Sequence, residues 1–183
     1  MARAVSGREA EVRGGWRRGS PTRSQLTSLI DQLALPQDWT VEDLFACLVT
    51  VRGRPIVRLP LPEDAPVGLC GLWLARSEDD VVLHRPSPDP MMERHVLAHE
   101  AAHMLLDHGR DSTPQELAGL LVDWTFGGRL DSVVSQVRTA RGASTTGAYS
   151  RRDEYEAELL ATMIMTRASQ DGTLRRDREL RLL

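Results

Sequence analysis

No lysine occurs in this chain: all 23 basic residues are arginine, set against 26 acidic ones for a net charge of -3. A general nucleic-acid binder needs a basic face, and this balance argues against one. The arginine bias reads as the mark of a GC-rich bacterial genome, and arginine is also the better residue for bidentate surface pairs. Cysteine is almost as scarce. Cys47 and Cys70 stand alone and form no C-x-x-C, which excludes a zinc knuckle or redox pair of that kind and predicts two free thiols in a reducing compartment. No apolar run approaches the length of a membrane span, and the first residues carry no apolar core of a signal peptide. A cytoplasmic protein without membrane contact is therefore expected.

With 41% hydrophobic and 27% charged residues, the 183-residue chain suits one soluble domain. Residues 1–19 are rich in Arg, Gly and Ser, with Trp16 as their main apolar side chain, and read as a disordered arm. Residues 20–168 form the expected domain, and the arginine-rich stretch 169–183 reads as a polar tail. Ser20-Pro21 opens a first helix with Leu26, Leu29, Ile30 and Leu33 on one stripe. Thr40 caps a second through Leu44, Phe45, Leu48 and Val49 to Gly53. Such a tandem invites a helix-turn-helix reading, but no basic recognition helix follows and both stripes are needed as core. The periodicity then shortens. Residues 55–59, 69–74 and 80–84 have strand character, the last two as a hairpin, and predict a small antiparallel sheet of about three strands. His84 closes the hairpin as a loop histidine.

The chemistry is concentrated in residues 90–108, around His99-Glu100-Ala101-Ala102-His103. Histidines four apart on a helix point the same way, so both imidazoles can share one metal ion, with the glutamate between them placed to handle the metal's water. Composition alone yields H-E-x-x-H in about one such chain in a hundred. Here the flanks supply a helix: Asp89-Pro90 is an N-cap with an N1 proline, no glycine or proline interrupts the next turns, and Gly109 follows as a stop.

A catalytic zinc usually has three protein ligands, so a third must come from elsewhere. Residues 150–167 are the obvious source, a capped helix carrying Glu154, Glu156 and Glu158. Glu154 and Glu158 share a face with Ala157 and Ala161, whose small side chains permit close helix approach, while Glu156 points away from it. The residues leave both Glu154 and Glu158 open as ligand. Tyr149, just before this helix, is the first candidate donor to a developing oxyanion, followed by His108 and His95. Asp107 is either a partner of a ligand histidine or a surface residue. Between the two helices, residues 113–121 and 131–138 read as further short helices and 141–147 as a loop.

The segments 94–108 and 149–161 resemble the ImmA/IrrE family of metallopeptidases, in particular its short actinobacterial members linked to toxin-antitoxin pairs and regulators. The second segment is similar to that family's E-x-E-A-N-x-F-A pattern, with Glu158 where the family has asparagine and Leu160 where it has phenylalanine. The resemblance implies an α+β, mostly helical zincin-like domain and a zinc ion on His99, His103 and Glu154, with Glu100 as general base. It also implies the substrate: a helix-turn-helix repressor or cognate antitoxin, cleaved to release transcription. The alternative is a toxin-antitoxin or regulatory component that binds its partner without proteolysis.

Overall fold

The computed structural model describes residues 19–61, 63, 65, 67–76, 78–108 and 151–180, with side chains to residue 167. In chain order they form α1 (Arg23–Leu33), α2 (Val41–Arg52), β1 (Ile56–Pro60), β2 (Gly71–Ala75), β3 (Asp80–His84), α3 (Pro90–Leu105) and α4 (Arg151–Leu180). This is an α+β arrangement dominated by helix. The expected helices at 113–121 and 131–138 and the loop at 141–147 lie outside the described residues, as do Tyr149 and residues 1–18.

Local chemistry sets the helix ends. α1 begins two residues later than Ser20-Pro21 suggests, because Thr22 and Gln25 form a capping box: the Thr22 hydroxyl accepts from Gln25 N–H at 3.3 Å and Gln25 Oε1 accepts from Thr22 N–H at 2.8 Å. Thr40 and Asp43 do the same for α2, which ends as expected at Gly53 in the left-handed region, φ 65°. Asp89 caps α3 with Pro90 in its first turn. Its other end differs from expectation. Asp107, at φ 52°, turns the chain before Gly109 is reached, since a short polar side chain tolerates the left-handed conformation. α4 runs past Arg167 as far as Leu180, through a stretch whose leucines and arginines favour helix and which contains no proline.

The sheet corrects the antiparallel expectation. Its order is β1-β3-β2: β2 and β3 form the antiparallel hairpin, but β1 lies on the far side of β3 and runs parallel to it. An antiparallel meander would need β1 beside β2. Instead the connection after Pro60 carries the chain past β3, so that β3 returns into the middle. Pro60, which has no N–H to give a ladder, is tolerated because β1 is an edge strand.

One face of the sheet, through Trp73 and Val82, joins a core made by Leu26, Ile30, Leu33, Leu44, Phe45 and Leu48 of the first two helices and the inner faces of α3 and α4. Those apolar stripes of α1 and α2 are thus spent on packing. Leu72, Leu74, Val81 and Leu83, on the opposite face, are buried as well, which accounts for the unbroken apolar runs in β2 and β3. The core shared by α3 and α4 includes several small residues: Ala98, Ala101, Ala102, Ala157 and Ala161 are all fully buried. That brings the two polar ends of the interface close enough to share side-chain partners. Arg94 fastens α3 to the α1–α2 connection, its guanidinium stacked 4.2 Å from the Trp39 ring centroid and bonded to the Trp39 carbonyl at 2.8 Å.

Candidate metal centre

His99 and His103, one turn apart on α3, turn their Nε2 atoms toward each other at 2.9 Å. α4 brings Glu154 to the same point, with Oε2 3.4 Å from His99 Nε2 and Oε1 3.9 Å from His103 Nε2. One ligand atom from each of the three residues falls within 4.8 Å of the other two, a group suited to hold a metal ion. Two further observations fit a cation there. Only one of the two facing nitrogens can donate to the other, whereas a cation takes the lone pairs of both. Glu154 Oε1 is buried with no hydrogen-bond partner among the described residues. The separation of the nitrogens is also near the roughly 3.3 Å that tetrahedral zinc would impose at its usual bond lengths.

Glu158 occupies a different place. Its carboxylate lies 3.3 Å from His99 Nδ1, the ring nitrogen opposite the convergence point, and 3.2 Å from His95 Nε2. Of the two glutamates that share a helix face, Glu154 therefore meets the inward nitrogens and Glu158 the outward one. As an acceptor for His99 Nδ1–H it would leave Nε2 bare for a metal. His95 is thereby accounted for as a neighbour of Glu158, away from the inward face.

Glu100 is 5% exposed, and its Oε2 has no hydrogen-bond partner among the described residues. Burial pushes its carboxyl up to about 7, with the charge of His99 lowering it and that of Glu154 raising it. The carboxylate rests against Gly71, the first residue of β2: a Cβ built there would lie 2.2 Å from Glu100 Oε1. Only glycine leaves this space. β2 is also an edge strand, with β3 on one side and no described strand on the other. Arg85 N–H bonds the Cys70 carbonyl at 2.8 Å, so by alternation Gly71 and Trp73 direct their N–H and C=O groups to the outer edge.

Burial pulls His99 down, but the carboxylates of Glu154, Glu100 and Glu158 outweigh it and hold the imidazole above its ordinary value. His103, 1% exposed, is pushed far down by burial and then by the charges of His99 and His108, which favours the neutral ring that ligation needs.

Two residues have places that sequence reasoning missed. His108, expected at most as an oxyanion donor, is buried with its Nδ1 3.2 Å from His103 Nδ1. Glu156, expected to point away, is 7% exposed and reaches His108 Nε2 at 3.4 Å, while Arg152 Nε donates to it at 2.7 Å. Burial raises the Glu156 carboxyl, yet hydrogen bonds from Arg152, Ser20 and His108 bring it below its usual value. The available signal was the five-residue step from His103 to His108, which becomes meaningful only once the helix is known to end between them. Asp107 is exposed and serves the turn itself.

A paired-histidine helix, a glutamate from a second helix and a buried carboxylate beside a strand edge that no described strand covers together have the layout of a metallopeptidase site. The model of Peptidase family M48 matches residues 89–176, from the cap of α3 into α4, and supports a metallopeptidase. No curated protein and no solved structure matches the chain. The matched model is not that of ImmA/IrrE; what the two likenesses share is metal-dependent peptide hydrolysis. No helix among the described residues is long and apolar enough to cross a membrane.

Proposed function

We propose that this chain is a zinc-dependent endopeptidase with His99, His103 and Glu154 as ligands and Glu100 as general base. The observation that carries the reading is the convergence of those three donors beside a buried carboxylate, one oxygen of which has no hydrogen-bond partner among the described residues. When bound, zinc would acidify water and polarise a peptide carbonyl. Glu100 accepts the proton of the attacking water and returns it to the leaving amine. Burial raises the Glu100 carboxyl in the metal-free chain, and a bound cation beside it would favour the ionised form that accepts a proton. The outward N–H and C=O of Gly71 and Trp73 take the substrate as an added strand, which lays its scissile bond along α3. Tyr149, next to the start of α4 in sequence, is the proposed donor to the oxyanion.

The substrate we propose is a helix-turn-helix repressor or cognate antitoxin. Its support is the likeness of residues 94–108 and 149–161 to ImmA/IrrE, a likeness of sequence pattern alone. Co-expression with a helix-turn-helix regulator, should one be encoded beside this chain, tests both parts. Wild type should yield a cleavage product and Glu100→Gln, with zinc still bound, should not. An intact partner with both proteins would remove the proposed substrate, and full cleavage by the zinc-loaded Glu100→Gln variant would remove the mechanism.

A further inference from the structure

Burying an imidazole and a carboxylate beside a ligand is costly unless each polar atom is answered, and here the answers run in one direction. Arg152 Nε donates to Glu156 Oε1 at 2.7 Å, the other Glu156 oxygen faces His108 Nε2 at 3.4 Å, and His108 Nδ1 faces His103 Nδ1 at 3.2 Å. A carboxylate held by a guanidinium accepts, so His108 carries its proton on Nε2. Its Nδ1 is then an acceptor, and the proton between the two rings belongs to His103 Nδ1. That leaves His103 Nε2 unprotonated, facing His99 Nε2 and Glu154. The reverse assignment would put a proton on the nitrogen that faces the other two donors. His108 sits on the turn made by Asp107, and its own N–H bonds the His103 carbonyl at 3.0 Å, so the two rings are fixed by backbone as well.

We propose that His108, anchored by Glu156 and Arg152, is a positioning residue: it holds His103 in the Nδ1–H tautomer with Nε2 turned to the metal, before any metal arrives. The proposal rests on His103 being a ligand, and it extends that reading to a donor chain spanning α3, its terminal turn and α4. Glu158 stands in the same relation to His99, but half-exposed and shared with His95. The buried chain behind His103 is the better-defined of the two supports.

The test uses the full chain. Nitrogen-15 spectra of the metal-free wild type read the His103 tautomer directly and should show a protonated Nδ1 and a bare Nε2. The opposite tautomer would overturn the proposal without recourse to any variant. Zinc affinity is then measured by competition with a chromophoric chelator. His108→Leu, which keeps bulk but no acceptor, should bind zinc about 10–100-fold more weakly. His108→Asn, whose Oδ1 can stand where Nδ1 was, should recover most of that loss. A His108→Leu variant that binds zinc like wild type with its His103 tautomer unchanged would also overturn the proposal. Wild type that takes up no zinc would instead overturn the ligand assignment on which the proposal rests.

Discussion

At the scale of single residues, Gly71 and Glu100 are a matched pair. Gly71→Ala would put a methyl 2.2 Å from Glu100 Oε1 and 2.7 Å from its Cδ and Cγ, so the carboxylate must swing aside. Because the displaced group is the end of a flexible side chain, the fold and zinc uptake should survive. Peptide hydrolysis should fall by about a hundredfold, the usual result of moving a reacting group by an ångström; an unaltered kcat would show that Glu100 acts from elsewhere. Glu100 also leaves a mark on stability. Its folded-state value, about 7, lies above the ordinary 4.5, so the folded chain holds this proton more tightly than the unfolded one. Taken alone, this proton costs the metal-free protein up to about 3 kcal/mol as pH rises from 4.5 to about 7, while His103 and His108, whose values burial lowers, act in the opposite sense. Denaturant titrations in a chelator should therefore show the Glu100 part as a difference: the stability of wild type relative to Glu100→Gln should fall over that range and level off above it. The histidine pair was legible in the sequence because helical period alone aligns residues four apart. Gly71, His108 and Glu156 were not, since each matters only through a neighbour brought close by the fold.

Among the elements, the two ends of α2 and the start of α3 were legible, because capping is decided within four residues, whereas the start of α1 and the ends of α3 and α4 were not. Thr40→Ala removes the box at the head of α2 and should cost about 1 kcal/mol, read as a lower midpoint in thermal melts. The pH dependence of that loss has a definite sign. Hydrogen bonds from Thr40 hold the Asp43 carboxyl below its usual 3.8, so its contribution is complete above that value and disappears as pH falls through the lower one. The gap between wild type and Thr40→Ala should accordingly narrow in strong acid without closing, because the Thr40 hydroxyl still accepts from Asp43 N–H. Strand existence was legible as well, but strand order was not. The period of two tells which face of β1 is buried and says nothing about whether β2 or β3 lies beside it; long-range packing decides that.

For the molecule as a whole, one buried carboxylate joins the sheet to the helices. Asp80 accepts from Arg52 at 2.6 Å and from the Trp73 indole at 3.1 Å, and Arg54 lies 3.7 Å away. Arg52 also reaches the Met104 carbonyl near the end of α3, at 2.7 Å. Asp80→Ala leaves those cations and an indole N–H without their acceptor and should destabilise the fold by about 3–5 kcal/mol in chemical denaturation. Nothing in the sequence distinguished Asp80 from the other strand-end acids, because its partners come from α2 and β2. The meeting of α3 with α4 carries a last consequence. The donor atoms of His99, His103 and Glu154 come from helices that are distant in sequence and are brought together only by folding. A zinc ion that binds only this assembled arrangement would add about 1.4 kcal/mol to the folded state for each tenfold rise in free zinc above the dissociation constant. The lifetime of the chain against unfolding and proteolysis would then follow the supply of metal around it, so that scarcity clears the protein as well as silencing it. Melting temperatures recorded across a buffered zinc series should rise accordingly, and a flat series would show that the ion does not favour the folded form.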